Sequence, residues 1–182
     1  MSVAAPVVCA RLLLVGVAWT AAFSVAPAAQ ASDAALVRHA GPAWERVADA
    51  RATATRAFGA SIPSRERSGR RAIAALQRYH RVLGETNAAV RAQDPSSATG
   101  DAARALLLEA GRTARRGCRQ AITGVRISTA AAPRLGDAPR PRILRRFLRG
   151  FRSAMRAFRT FESADRLQRA GARALQALNV SP

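Results

Sequence analysis

The sequence predicts an all-α fold: an antiparallel up-down bundle of four helices, the last of them bent or broken near residues 160–163. Three observations carry this expectation. Apolar residues recur at helical spacing along four long stretches. Connections rich in Gly, Pro and Ser, about five to eight residues long, separate those stretches and make successive helices antiparallel neighbours. The strict apolar/polar alternation of a half-buried strand persists nowhere.

Ahead of the bundle, residues 1–31 read as a cleavable secretory signal peptide. Arg11 supplies one positive charge, Leu12–Val25 forms an apolar run, Pro27 breaks it, and Ala29-Gln30-Ala31 offers the small residues that a signal peptidase reads, with cleavage after Ala31. A cut after Ala28 also fits, and an uncleaved N-terminal anchor is the runner-up because residues 12–29 approach spanning length. No twin-Arg pair precedes the run, and Cys9 lacks the setting of a lipid-anchored cysteine. Residues 32–182 are then a single domain, long enough to bury a core without disulfides or metals.

The first helix is expected from about Asp33 to Phe58, with Leu36, Ala40, Trp44, Val47 and Phe58 on one face, Arg51 interrupting it and Pro42 set to delay its start. Gly59–Pro63 is the first connection. The second helix runs from about Ser64 to Ala92 behind Ile73, Leu76, Leu83 and Val90, and Asp94-Pro95-Ser96-Ser97 stops it. The third, about Gly100 to Ala131, carries a stripe of mostly small residues: Ala103, Leu107, Ala110, Ala114, Cys118, Ala121 and Val125. Those residues, with Gly111, Gly117 and Gly124, predict close approach to neighbouring helices, while Arg104, Arg112, Arg115, Arg119 and Arg126 occupy the opposite face. Pro133–Pro139 ends it, and Pro141 suits the first turn of the fourth helix.

The fourth helix opens with the most unusual run of the chain. Between Arg140 and Phe161 lie eight arginines, four of the six phenylalanines and no acid. At 100° per residue Leu144, Phe147, Leu148, Phe151, Met155 and Phe158 share one arc, and Arg142, Arg145, Arg146, Arg149, Arg152, Arg156 and Arg159 the opposite one. The apolar arc is expected to close the core as its fourth wall. Continued onward it meets Glu162 and Asp165, whereas Leu167, Ala174, Leu175 and Leu178 lie on the other side of the helix. That phase fault is the reason for the expected break.

Charge bounds the partner. The chain holds 30 arginines, no lysine and 11 acidic residues, a formal charge of +19. Loss of the leader removes one arginine and no acid, leaving +18 on 151 residues. The 44 alanines, together with arginine in place of lysine, fit a GC-rich coding sequence, but that bias does not explain the excess of base over acid. Such a field attracts polyanions and anionic surfaces.

Chemistry-bearing patterns are few. There is no Gly-rich phosphate loop, Cys-x-x-Cys, Cys-x-x-Cys-His or Gly-x-Ser-x-Gly. His39 and His80 have no His or carboxylate at the spacing of a bundle metal site, so His80 and Asn87 are read as buried or edge polar groups. Cys118 lies on the small-residue stripe, where a free cysteine acts as a small hydrophobe; disulfide-linked dimerisation is its alternative. No enzyme, metal or cofactor is expected.

The functional expectation is an exported, non-enzymatic binding protein, periplasmic or secreted. Its arginine surface meets an anionic partner: lipid headgroups, a phosphate-bearing envelope polymer, nucleic acid or an acidic protein. The residues expected to bind are Arg142, Arg145, Arg149, Arg152, Arg156 and Arg159, supported by Arg112, Arg115 and Arg119 if the two arginine stripes merge. Two alternatives remain. One is a membrane-active amphipathic helix at residues 141–161, which requires Phe147, Phe151 and Phe158 to be exposed or loosely packed. The other is a structural or protein-interaction module of the envelope, docking a partner or a second copy through Leu167, Leu175 and Leu178.

Overall fold

A computed structural model describes residues 28–61, 66–135 and 140–180, so the proposed leader, apart from the backbone of its last residues, lies outside the described region. Four helices follow one another: α1 (Ala28–Gly59), α2 (Glu66–Arg91), α3 (Ala98–Ala131) and α4 (Pro141–Val180), with a single 3₁₀ turn at Ala132–Arg134 after α3. The fold is an all-α four-helix bundle, with no strand among the described residues.

Interhelical contacts give the up-down order. Asn87 of α2 packs on Gly111 of α3 and Thr129 of α3 on Gly69 of α2, so α2 and α3 run antiparallel. Phe161 lies over Gly117, and Leu107 meets Gly171, which makes α3 and α4 antiparallel. Arg51 pairs with Asp165 and Phe58 with Phe158, which closes α1 against α4 in the same sense.

α1 starts earlier than expected and runs through Pro42, which stands exposed. Proline there removes one i→i−4 bond, yet Leu36, Ala40, Trp44, Val47, Ala54 and Phe58 remain buried on a single stripe that holds the helix in place. At its start, Asp33 Oδ1 accepts from the backbone N–H of Ser96 at 2.9 Å and of Ser97 at 3.4 Å, tying α1 to the α2–α3 connection. Ser97 caps α3 by accepting from the Gly100 N–H at 2.9 Å.

The α3–α4 seam overturns two expectations. Position by seventh position, α3 buries Ala103, Ala110, Gly117, Gly124 and Ala131. α4 answers with Gly150, Ala157, Ala164 and Gly171 at the same period, joined by Ala154, Phe161, Gln168, Leu175 and Leu178 at alternating spacings of three and four. Backbones touch here: a Cβ on Gly124 would lie 2.6 Å from the Ala154 nitrogen and 2.7 Å from the Gly150 carbonyl oxygen. This stripe keeps one phase along the whole helix. α4 is an uninterrupted 40-residue α-helix, so of the bend or break expected near residues 160–163 the break is absent. The apparent phase fault came from following large side chains, whereas the small ones make the seam.

The second correction concerns the fourth wall. Leu144, Leu148, Phe151 and Met155 do not close the core; they are 40%, 36%, 41% and 46% exposed. Axial stagger is the cause. α1 ends at Gly59, one residue past the Phe58–Phe158 contact, so residues 141–157 of α4 project beyond it by about 25 Å of helix at 1.5 Å per residue. Only the seam face of that segment is covered.

Candidate functional site: an arginine end with an exposed apolar stripe

The projecting half of α4 presents two surfaces. On one flank Arg142, Arg145, Arg146 and Arg149 surround Ile127 of α3 in an open cleft of about 600 Å³. These arginines recur at spacings of one to four because they occupy the arc facing away from α1, beside the α3 seam. On the other flank lie Leu144, Leu148, Phe151 and Met155. They are the only exposed large hydrophobics among the described side chains, and they form one i, i+4, i+7, i+11 row. Phe147 is half-buried, and Phe158 packs on Phe58 with ring centroids 5.1 Å apart. Of the three phenylalanines that the membrane alternative needs exposed or loosely packed, Phe151 is exposed and Phe147 and Phe158 are half-buried.

Acidic residues are concentrated toward one end of the bundle, whereas arginines occur at both. Of the eleven acidic residues, Glu66 opens α2 at the arginine end and Asp137 falls outside the described residues; the other nine, Asp33, Glu45 and Asp49 of α1, Glu85, Asp94, Asp101, Glu109, Glu162 and Asp165, lie on the far side of the Phe58–Phe158 contact. On the other side stand twelve arginines: Arg67, Arg70 and Arg71 of α2, Arg126 and Arg134, and seven between Arg140 and Arg156. α4 also begins without an acid in its first turn. Its arginines thus sit against the positive end of the helix dipole, an arrangement that costs stability in isolation and favours a bound anion.

The nine arginines expected to bind do not form one surface. Arg142, Arg145 and Arg149 line the cleft, with Arg152, Arg156 and Arg159 continuing along α4, all three exposed. Arg112, Arg115 and Arg119 belong elsewhere. Arg115 and Arg119 flank Gly117, the residue against α4, at two positions either side, which turns them about 160–200° away from the seam. Arg115 Nε donates to His80 Nε2 of α2 at 3.3 Å, Arg119 Nη1 lies 3.5 Å from the same atom, and Arg112 pairs with Glu109 at 3.3 Å. The two stripes therefore do not merge, because the small-residue face of α3, not its arginine face, meets α4. Arg67, Arg70, Arg71, Arg126, Arg134, Arg140 and Arg146 are the basic residues at the same end that the sequence reading left out of the site; axial stagger, which places them, is not encoded in periodicity.

Asn87, packed on Gly111, is buried with no hydrogen-bond partner for its Oδ1 among the described residues, whereas His80, Cys118 and Arg51 are absorbed into the fold. Burial, then Arg115 and Arg119, push the His80 pKa down, and the neutral ring holds its lone pair at Nε2 toward Arg115. Burial pushes the Cys118 thiol up to about 12 against the opposing pull of Arg119, so it is a protonated core group with no route to an intermolecular disulfide in the folded state. Arg51, read as an interruption, makes a bidentate pair with Asp165, Nη2–Oδ2 at 2.5 Å, beside buried Tyr79. Burial opposes the Arg51 charge, but the hydrogen bond and the charge of Asp165 outweigh it and hold its pKa above the ordinary arginine value. Leu175 is buried and Leu167 and Leu178 pack against the core, so the stripe expected to dock a partner is occupied within the chain.

Among the described residues no group of three or more His, Cys, Asp or Glu is placed to hold a metal, and no helix is long and apolar enough to cross a membrane. Compared with known proteins, the chain matches no family model, no curated protein and no solved structure.

Proposed function

We propose that this chain is an exported, non-enzymatic binding protein that engages an anionic partner through the arginine end of its bundle. The carrying observation is the cleft formed by Arg142, Arg145, Arg146 and Arg149, on a stretch of chain, residues 140–161, that holds eight arginines and no acid. Guanidinium forks bind phosphate or carboxylate bidentately and stay charged at any physiological pH. Solvated helix faces ordinarily mix charge signs; this one does not. Export rests on the leader pattern of residues 1–31. Among the described side chains of α1, the buried ones begin at Leu36, beyond the expected cut after Ala31.

The test is binding to inorganic polyphosphate across a salt series, by titration calorimetry. Affinity should fall steeply with salt, and the triple variant Arg142→Gln, Arg145→Gln, Arg149→Gln should flatten the log–log slope by about 2–3, nearly one for each phosphate that the variant no longer neutralises. Salt-independent binding, or an unchanged slope in the triple variant, refutes the assignment.

A further inference from the structure

We propose that the anionic partner is a lipid bilayer surface, and that α4 lies in its plane with Leu144, Leu148, Phe151 and Met155 inserted at headgroup level. This rests on the anion-binding reading and names its partner. Every exposed large hydrophobic of the described chain falls in that one row of four. Between 144 and 155 the row is about 16 Å long at 1.5 Å per residue, enough to lie on a membrane and too short to span one. Its centre lies about 120° around α4 from the seam with α3, and α1 stops short of it, so neither of those helices shields it from a flat surface.

Charge chooses among occupants. Arg145, Arg152 and Arg159 border the row on the flank away from α1, where guanidinium groups reach headgroup phosphates while the apolar side chains enter the acyl boundary. A second copy docking row to row would bring two arginine ends together, like charge facing like charge. Nucleic acid would satisfy the arginines and leave the apolar row in water. A bilayer with anionic headgroups meets both surfaces at once.

The experiment uses the full chain in flotation with vesicles of phosphatidylcholine alone or mixed with phosphatidylglycerol, beside polyphosphate binding, thermal melting and sedimentation. The protein should float with phosphatidylglycerol vesicles and not with phosphatidylcholine alone. The double variant Leu148→Ser, Phe151→Ser should bind those vesicles about 100-fold more weakly, the expected effect of withholding two apolar side chains from the membrane. Its polyphosphate affinity and melting temperature should match the unsubstituted chain. Equal vesicle binding by the double variant overturns insertion while leaving the anion reading intact. If the unsubstituted chain binds neither polyphosphate nor vesicles, the anion reading itself falls. A large drop in melting temperature in the double variant, or a dimer that it converts to monomer, overturns the proposal by showing that the row is covered within the protein or by a second copy.

Discussion

Substituting Gly124→Ala tests the feature that most separates this bundle from the expected one. An added methyl should help a helix interior by about 0.5–1 kcal/mol, because glycine loses more backbone freedom on folding. At Gly124 that methyl would stand 2.6 Å from the Ala154 nitrogen, 2.7 Å from the Gly150 carbonyl oxygen and 3.0 Å from the Ala154 Cα, all backbone atoms that cannot rotate away. Overpacking of this kind costs about 1–3 kcal/mol, and rigid collision partners place it at the upper end. The net expectation is a loss of about 2 kcal/mol, a melting temperature lower by about 4–8 °C at this chain length. Gly84→Ala is the control. Its added methyl would meet nothing nearer than the Arg115 guanidinium at 3.8 Å, so propensity alone acts and the melting temperature should rise by about 1–4 °C. Gly150→Ala should behave as Gly124→Ala, and the pair should cost less than the sum, since one methyl already separates the helices. Calorimetric melting of the four variants measures all of this. A rise for Gly124→Ala comparable to that for Gly84→Ala would refute backbone contact at the seam.

Two further outcomes follow from groups away from the arginine end. Arg51→Met should destabilise by about 1–3 kcal/mol, below the cost of breaking a fully buried pair because the side chains retain 28% and 14% accessibility; adding Asp165→Leu should restore much of the loss, read from a double-mutant cycle in urea. His80, with its pKa pushed down in the folded state, binds fewer protons there than in the unfolded chain between that lowered value and about 6.5, so this histidine's contribution to stability rises with pH across that window and is lost as pH falls through it. Its imidazole should titrate below 6.5 by NMR and move upward in Arg115→Gln; a midpoint at or above 6.5 in the unsubstituted protein would contradict the Arg115 contact.

The helices were legible because each is long, amphipathic and bounded by proline, glycine or serine. α2, expected over 64–92, spans Glu66–Arg91, and α3, expected from about 100, begins at Ala98 behind the Ser97 cap. The face that α4 buries was not. Periodicity weighs side chains by hydrophobicity, so Leu144, Leu148, Phe151 and Met155 dominated, while Gly150, Ala154 and Ala157 contributed little. Packing weighs them by how closely they let two backbones approach. The small-residue stripe of α3 was read correctly as a sign of close contact; its counterpart on α4 carried the same signal beneath a louder one.

Stagger was the other illegible quantity, and it generates the candidate site. Helix lengths and loop lengths allow α1 to meet α4 anywhere along a helix of 40 residues. Phe58–Phe158 and Arg51–Asp165 select the register, both made by residues that the periodic reading treated as ends or interruptions of stripes. Had α1 met α4 four turns nearer Pro141, the apolar row would be core and the arginine flank a solvated rim. In the register adopted, the same row is uncovered and shares one end of the bundle with twelve arginines. The Arg51–Asp165 pair and the Phe58–Phe158 contact thus mark the register in which the apolar row of α4 is left uncovered.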